Sequence, residues 1–509
     1  MQNCGILPGA SPADAMARHD DRTEHLLRRA GFGGSPDEVA ELARIGYQAA
    51  VDLLVFYEQA PDDVDERIGV PGHVGVTTRG QFSPDTSITD ARQRWLFRMV
   101  HSRRPLQEKM ALFWHHHFAT AYQKIADTYG GTVATRMMAA SEAYNGPKNS
   151  PVGQIELFRQ NALGSFYDLL VKVARDPAML VWLDGRLNVR GTPQENFARE
   201  VMELFTMGIR ASDSSPNNYT EDDVKAAARV FTGWNLTVGA RGANNVNDAT
   251  LAYAYTYRST QHDTGSKTFS FDIYPGGGRT ITSGGEQEGL DFLLACCRHP
   301  QTGPRLARKL YAFFVDELHP APQSFVDRVS GAYYASNFDM RRVVLSVLLS
   351  PEFSDPSAYY ARYAWPVEFV VKAIKETGWA GFSVDAALTP LLSMGQSLFE
   401  PPDVNGWETG AGWFSTGGML ARMNFAATLT QNQRFNLREA ARPYKATPET
   451  LLAYTLDRLS PMPFDSPPYN DLLGYLRAGT SWTGSDTELL AKAAGVTHLV
   501  LASPEYQFV

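Results

Sequence analysis

The sequence has little cysteine and no long apolar run. Its 509 residues include three cysteines, Cys4, Cys296 and Cys297, which give neither a disulfide framework nor a CxxC metal pattern. We expect Cys296 and Cys297, adjacent in an apolar helical stretch, to pack in the core. No apolar run is long enough to cross a membrane, and the N-terminal region lacks the apolar segment of a signal peptide. The sequence as given therefore predicts a cytoplasmic protein, or an exported one if a signal has been removed.

Basic blocks and several common enzyme motifs are also missing. The formal net charge is −8, and the arginines cluster only in pairs such as Arg103-Arg104. This charge balance argues against nucleic acid as a partner. No GxGxxG follows a strand, and no GxxxxGK[ST], HExxH or GxSxG pattern is present. Nucleotide-binding folds, zincin proteases and α/β-hydrolases are therefore disfavoured.

Helix-start signals recur through the chain and predict a mainly α fold. Ser or Thr followed by Pro and an acidic residue is typical of a capped helix with proline in its first turn. This signal occurs at Ser35, Thr192, Ser350 and Thr447. We expect one large multi-helix domain with long irregular loops, including 60–88 and much of 125–154. The stretch 237–282 alternates in LAYAYTYRS and KTFSFDIY, which predicts a small β-rich insertion.

The predicted chain organisation has three parts. Residues 1–22 form a flexible N-terminal tail, and residues 23–460 form the helical core with its insertion. After the Pro-rich segment SPMPFDSPP, residues 461–509 form C-terminal helices that pack on the core.

The stretch 191–234 contains two short predicted helices joined by a polar loop. The first begins at Thr192 with a capping box and ends at Gly208. The second begins at Thr220, with Asp223 as the acidic partner of the cap. We expect both helices to bury one apolar side and to present a polar side.

The polar side of the first helix carries a ridge of carboxylates. Asn196, Glu200 and Glu203 lie at i, i+4 and i+7 on one face. Two carboxylates on one face can bind a divalent metal, or divide acid and base roles if burial raises one pKa. A solvated face, with Arg199 neutralising its neighbours and Asp223 acting only as a cap, is the simpler alternative.

Three consecutive histidines end a predicted helix that begins at Pro105. On a regular helix His117 lies on the apolar stripe and His115 lies roughly opposite. The two can act on one metal ion only if the helix ends there. The alternative is one buried histidine and two exposed ones.

Two further stretches carry polar and aromatic candidates. A loop of the predicted β-rich insertion contains His262, Asp263 and Lys267, which suits an oriented base or ligand. FEPPDVNGWETGAGWF, residues 399–414, contains Asp403, Asn405 and Trp407. This segment is either a structural plug against the helices or one wall of a cleft.

Several of these motifs together resemble one known family. The resemblance rests on LLRRAGFGGSPDEV, RPLQEKMALFWHHHFAT, NALGSFYDLLVKVARDPAMLVWLD, ENFAREVMELFTMG, YTEDDVKAAARVFTGW, HDTGSKTF, PPDVNGW and the terminal SPEYQ. The family is the large bacterial one called domain of unknown function eighteen hundred, and the similarity runs from about residue 24 to the C-terminus. It implies no named reaction. Members often carry an export signal, and their genes often neighbour those of proteins resembling metal-dependent phosphatases and sulfatases.

The resemblance implies a set of recurring polar and aromatic positions. Mapped onto this sequence they are His115, His117, Asn196, Glu200, Glu203, Asp223, Trp234, His262, Asp263, Lys267, Asp403, Asn405 and Trp407. Buried polar residues need partners, so a shared polar cleft is expected to gather them. His116 and Gln194 stand where the family usually has asparagine, so these two positions are expected to matter less.

The first hypothesis for function is a hydrolase of a glycan or related polymer. Glu200 or Glu203 acts as general acid or base, with Asp223, Asp263 and His262 as further catalytic candidates. The expected stacking platforms are Trp114, Trp182, Trp234 and Trp407. Asn196, Lys267, Asp403 and Asn405 are the expected polar contacts to substrate.

Two other classes of function remain open at this point. One is a metal-dependent enzyme, in which His115 or His117 joins Glu200 and Glu203 around iron, manganese or zinc, with His262 as a further candidate ligand. A divalent metal is accordingly the one cofactor considered. The other is a non-catalytic protein that binds a surface glycan or a second protein encoded nearby.

Overall fold

A mainly α fold with a small β insertion is confirmed by the computed structural model, which describes residues 21–141, 150–239, 253–479 and 481–509. The predicted tail 1–22 lies almost wholly outside the described residues.

The first half of the chain contains twelve described helices. They are α1 Asp21–Ala30, α2 Pro36–Ile45, α3 Tyr47–Val55, α4 Ile88–His101, α5 Pro105–His117, α6 Tyr122–Tyr129, α7 Gly131–Ala139, α8 Gln154–Gln160, α9 Phe166–Ala174, α10 Pro177–Trp182, α11 Asn196–Glu200 and α12 Glu221–Val230.

The strands and the remaining helices follow. The strands are β1 Trp234–Val238, β2 Tyr253–Tyr257, β3 Lys267–Thr268 and β4 Thr280–Ile281. The helices are α13 Glu286–Arg298, α14 Thr302–Phe314, α15 Gln323–Ala335, α16 Met340–Leu348, α17 Pro351–Ser354, α18 Pro366–Thr377, α19 Asp385–Ser393, α20 Thr416–Asn432, α21 Arg434–Ala441, α22 Pro448–Leu459, α23 Ser466–Arg477 and α24 Asp486–Ala502.

Three of the four predicted helix starts are confirmed. The hydroxyls of Ser35, Ser350 and Thr447 accept hydrogen bonds from backbone N–H groups in the first turns of α2, α17 and α22. Each side chain thereby satisfies a donor that the helix itself leaves unpaired. The predicted cap of the second helix in 191–234 is also confirmed, because Thr220 and Asp223 form a reciprocal capping box at the start of α12.

The predicted start at Thr192 is wrong. The backbone N–H of Thr192 donates to the carbonyl of Val189 (3.1 Å), and that of Gln194 donates to Oδ1 of Asn188 (3.0 Å). These bonds hold residues 192–194 in an extended turn, so α11 begins only at Asn196. The hydrogen bond that the Asn188 side chain accepts thus competes with helix formation at Thr192, which the local sequence favours.

The expectation of irregular structure across 125–154 is wrong for its first half. α6 and α7 cover most of 122–139, and Gly130 joins them with a φ of 85°. Ile125, Val133 and Met137 are buried, so these short helices are stabilised by packing. Residues 142–149 lie outside the described part of the chain.

The β insertion consists of two small antiparallel pairs. β1 pairs with β2, with Trp234 opposite Tyr257 and Val238 opposite Tyr253. β3 pairs with β4, with Lys267 opposite Ile281. Residues 240–252 of the predicted insertion lie outside the described residues.

The C-terminal helices lie against earlier helices of the chain. α24 contacts α20, α21 and α22, and it also contacts α23. Cys296 and Cys297 on α13 are fully buried, as expected of packing residues. Among the residues described, no helix combines the length and the apolarity that a bilayer crossing requires.

A buried carboxylate joins α5 to α18. Glu368 on α18 accepts hydrogen bonds from the ammonium group of Lys109 on α5 and from Nη1 of Arg362 (2.7 Å). Its other oxygen accepts the backbone N–H of Trp365 (2.9 Å). Burial opposes ionisation, but the charges of Arg362 and Lys109 bring the pKa of Glu368 down to about 2. The group therefore remains a carboxylate inside the core.

We expect Gly289→Ala to destabilise the fold. A Cβ atom at Gly289 on α13 would lie 2.3 Å from Cζ2 of Trp234, whose indole is buried. The resulting overpacking is expected to cost about 1–3 kcal/mol, more than the roughly 1 kcal/mol that alanine gains inside a helix. Urea denaturation measures the difference. Gly331→Ala on α15, where a Cβ meets nothing within 4 Å, is the matched control and should be neutral or stabilising.

Candidate functional site

A π-helical turn carries the predicted carboxylate ridge. α11 passes directly into this turn, Val201–Phe205, so Glu200 ends the α-helix and Glu203 lies inside the wider turn. The segment closes at Gly208, whose φ is 74° and whose N–H donates to the carbonyl of Met202 (2.8 Å). π-Helical turns of this kind occur frequently at functional sites.

Glu200 is a carboxyl group of the ridge whose pKa is raised. Its side chain is half-buried, and its pKa is raised to about 7, mainly by burial and with all neighbouring charges included. The negative charge of Glu203 contributes to this increase, while the positive charge of Arg199 opposes it. A carboxyl group with a pKa near neutrality can both donate and accept a proton at physiological pH.

Glu203 lies in a different environment from Glu200. Its Oε2 accepts a hydrogen bond from the hydroxyl of Tyr219 (2.8 Å). Arg305 on α14 interacts electrostatically with Glu203, although burial is the larger effect and lowers the pKa of this guanidinium overall. The two carboxylates therefore differ in their neighbours, which is the condition for dividing acid and base roles.

His117 and Lys309 connect this turn to α5, the helix that ends in three consecutive histidines and is called the histidine helix below. Nε2 of His117 lies 3.1 Å from the carbonyl of Phe205, so Nε2 carries the hydrogen and Nδ1 accepts. The ammonium group of Lys309 lies 3.0 Å from that Nδ1 and 3.3 Å from the carbonyl of Leu204. Burial, together with the charge of Arg305, lowers the pKa of Lys309 to about 7.

His116 connects the histidine helix to the aromatic segment 399–414. Its Nδ1 accepts the backbone N–H of Trp407 (3.2 Å). Gly406, with a φ of 92°, passes so close that a Cβ there would lie 2.3 Å from the same nitrogen. His116, which the family resemblance marked as less important, thus positions this segment.

A cavity of about 320 Å³ lies between α5, α14 and the end of the aromatic segment. Its charged and polar lining includes His116, His117, Lys309, Glu317 and Arg362. Its aromatic lining comprises Phe113, Phe313 and Trp365. Burial lowers the pKa of His116 to about 3 and that of His117 well below its usual value, so both histidines are neutral.

Of the predicted trio His262, Asp263 and Lys267, His262 and Lys267 are buried beside Glu288, whereas Asp263 is partly exposed. Nε2 of His262 lies 3.2 Å from Oε2 of Glu288, and the ammonium of Lys267 donates to the same oxygen (2.5 Å). Asp263 forms a bidentate pair with Arg229 (2.9 and 3.0 Å), and this pairing lowers the pKa of Asp263 to about 2. The side chains of all three predicted residues are therefore already paired with neighbouring side chains.

Asp223 is likewise occupied by neighbours. Its carboxylate accepts hydrogen bonds from the backbone N–H and hydroxyl of Thr220 and from the backbone N–H and hydroxyl of Ser270. It is 1% exposed. These contacts give it a capping and loop-fixing role, which was the simpler interpretation of the sequence.

The predicted stacking tryptophans are mostly core residues. Trp114 and Trp234 are at most 1% exposed, and Trp407 is 4% exposed. Nε1 of Trp114 donates to the carbonyl of Ala162 (3.0 Å). Trp182 is half-buried, with the ammonium of Lys124 near its ring. Of the four, Trp182 alone has a substantial exposed surface.

The remaining predicted substrate contacts lie at the surface. Asn196, Asp403 and Asn405 are exposed. Oδ1 of Asp403 accepts the backbone N–H of Asn405 (2.7 Å), which is a local turn-forming bond. Asn196 lies at the start of α11 and belongs to the same helix as Glu200.

The metal set of His115, His117, Glu200 and Glu203 is not assembled in the described residues. No group of three or more His, Cys, Asp and Glu side chains is placed there to hold a metal ion. His115 is buried among Trp95, Phe399 and Trp407, and burial lowers its pKa to about 3. The expectation of one buried and two exposed histidines is also wrong, because His115 and His117 are both buried and His116 is partly buried.

Five polar residues that surround these groups were not predicted from the sequence. They are Tyr219, Arg305, Lys309, Glu317 and Arg362. One signal could have revealed two of them. Arg305 and Lys309 lie one turn apart on α14, beside the buried Leu306 and Leu310, where a solvated cation is not expected. Arg362 and Glu317 carry no comparable local pattern.

The sequence model of a family described as protein of unknown function, DUF1800, matches residues 25–508. No curated protein and no solved structure matches the chain.

We expect Glu200→Gln to stabilise the protein at alkaline pH. The folded-state pKa of about 7 lies above the ordinary value of 4.5, so the folded state binds more protons between these values. Stability therefore falls as pH rises through this window, and the loss is complete above about pH 7. Because Glu200 is partly exposed, the expected gain for the variant at about pH 8 is only ~1 kcal/mol.

Urea denaturation of the variant and the wild type at about pH 4.5 and pH 8 measures this gain. Asp222→Asn, at a side chain that is 90% exposed, is the control and should show no such pH-dependent difference. An equal effect of Glu200→Gln at both pH values would contradict a raised pKa.

Proposed function

The chain belongs to the family DUF1800, and for this member we propose a hydrolase that cleaves a glycan or related polymer with Glu200 as its general acid. The observation that carries the proposal is the pair of half-buried carboxylates where α11 meets the π-helical turn, in which burial and Glu203 raise the pKa of Glu200 to about 7. A carboxylic acid that remains partly protonated at neutral pH, beside a second carboxylate, is the requirement of glycosidic cleavage.

In the proposed reaction the two carboxyl groups have different roles. Glu200 gives its proton to the oxygen of the leaving sugar as the bond between that oxygen and the anomeric carbon breaks. The oxygen of a water molecule bonds to the same carbon. Glu203 takes the proton that this water loses. The hydroxyl of Tyr219, which donates to Oε2 of Glu203, orients this carboxylate. Proton exchange with solvent then returns Glu200 to its acid form and Glu203 to its carboxylate form.

An extended substrate is supported by the exposure of the ridge. Asn196 is exposed, and Glu200 and Glu203 are half-buried. An open ridge admits the middle of a long chain, whereas an enclosed pocket admits a small molecule or a chain end. Because Trp114, Trp234 and Trp407 are core residues, the proposed contacts to substrate come from polar side chains such as Asn196.

The first test is hydrolysis of a panel of polysaccharides, measured as release of reducing ends. Wild-type protein is expected to cleave at least one member of the panel. Glu200→Gln should lower kcat/KM by about 100-fold or more, because general acid catalysis contributes roughly that factor. Asp222→Asn, which neutralises an exposed carboxylate on the neighbouring helix α12, should retain wild-type activity.

Two outcomes would overturn the proposal. Wild-type protein that cleaves no member of the panel would remove the glycan class. A Glu200→Gln variant with wild-type activity would show that the proton comes from another group.

The pH dependence supplies a second test of the role of Glu200. The general acid must be protonated, so kcat/KM is expected to fall as pH rises through about 7. The negative charge of Glu203 contributes to raising that pKa, so Glu203→Gln should move the alkaline limb to lower pH in whatever activity remains. An alkaline limb that stays in place in the Glu203 variant would assign it to a different group.

A further inference from the structure

We propose that the cavity between α5, α14 and the end of the aromatic segment binds a small organic carboxylate with a ring-shaped apolar body. This site is separate from the proposed chemistry of Glu200 and stands without it. The cavity has a volume of about 320 Å³, and its lining combines cations with three aromatic rings.

The free edge of Arg362 is the feature that selects a carboxylate. Its side chain is fully buried and lines the cavity. Nη1 donates to Glu368, whereas Nε and Nη2 have no hydrogen-bond partner in the part of the chain that the structure describes. Nε and Nη2 form one edge of the planar guanidinium, and that edge matches the two oxygens of a carboxylate.

Unpaired buried donors are costly, so they point to a ligand. A buried polar group without a hydrogen bond loses about 1–3 kcal/mol, and more if it is charged. Two such donors belong to one residue of the cavity lining, and an acceptor that enters the cavity and reaches this guanidinium would pair them.

The surrounding charges favour an anion. Arg362 and Lys309 line the cavity, and the buried Arg29 lies near Arg362. Burial lowers the pKa of Arg29 well below its usual value, and repulsion by Arg362 adds to this effect. Glu368 and Glu317 are the carboxylates that offset these cations. Both oxygens of Glu317 already accept backbone N–H groups, those of Tyr363 (2.5 Å) and Gly410 (3.1 Å).

The aromatic lining determines the body of the ligand. Phe113, Phe313 and Trp365 line the cavity, and the guanidinium of Arg362 lies 4.8 Å from the ring centroid of Phe313. These rings offer stacking and apolar burial to a flat molecule. Inorganic phosphate would leave them without a partner, and a long polymer would not fit within the cavity.

The probe for this site is benzoate, with benzamide as its uncharged isostere and inorganic phosphate as a compact anion. Isothermal titration calorimetry of the full chain at about pH 7 is expected to detect benzoate. Binding of benzamide and of phosphate should be weaker by about tenfold or more, because hydrogen bonds to charged groups contribute about 1.5–3 kcal/mol.

Two variants locate the binding. Arg362→Lys keeps a positive charge beside Glu368 but lacks the planar fork, so benzoate binding should weaken about tenfold or more. Ala312→Trp places a bulky side chain at an exposed position that lines the cavity, and it should block entry without disturbing the core. Arg308→Gln is the matched control on the same helix, since Arg308 is exposed and does not line the cavity.

Each outcome decides the proposal. Benzoate binding that is lost in Ala312→Trp and retained in Arg308→Gln would support it, even if Arg362→Lys fails to fold. No benzoate binding to the wild type, or binding that Ala312→Trp leaves unchanged, would overturn it. Phosphate or benzamide binding as tightly as benzoate would overturn the carboxylate class.

Discussion

The buried carboxylate of Glu368 is the charge on which the geometry of the candidate site depends. It binds Lys109 on the histidine helix α5 and Arg362 at the cavity, and it accepts the backbone N–H of Trp365. Removing such a group leaves its partners as buried, unpaired cations, at a cost of about 3–5 kcal/mol. The same charge therefore fixes the positions of the histidines, of the guanidinium and of one aromatic wall of the cavity.

The fold was largely predictable because its signals are local. Capping side chains at Ser35, Thr220 and Thr447 act on the next three residues, and the structure confirms each of them. Thr192 shows where this reasoning fails. Its local pattern is equally good, but Asn188 and Val189 bind the backbone of 192–194 and delay the helix. Asn188 and Val189 precede Thr192, so they lie outside the residues that the capping pattern covers.

The candidate site was predictable only in its carboxylates and histidines. Glu200 and Glu203 belong to one short segment, so their proximity follows from helical spacing. Lys309 lies 192 residues from His117, with which it shares a hydrogen bond, and no sequence pattern joins them. The burial of individual side chains was the other property that the sequence did not reveal. Trp114, His115 and Asp223 are polar or aromatic residues that suit a cleft equally well, but they lie in the core because of tertiary packing.

The two contacts of Lys309 join the turn that carries Glu203 to the lining of the cavity. One ammonium group approaches both Nδ1 of His117 and the carbonyl of Leu204 in the π-helical turn. An anion that draws this ammonium toward the cavity changes the free energy of the turn that carries Glu203. If the two proposed sites bind their ligands through this lysine, linkage requires that each ligand alter the affinity for the other by the same factor.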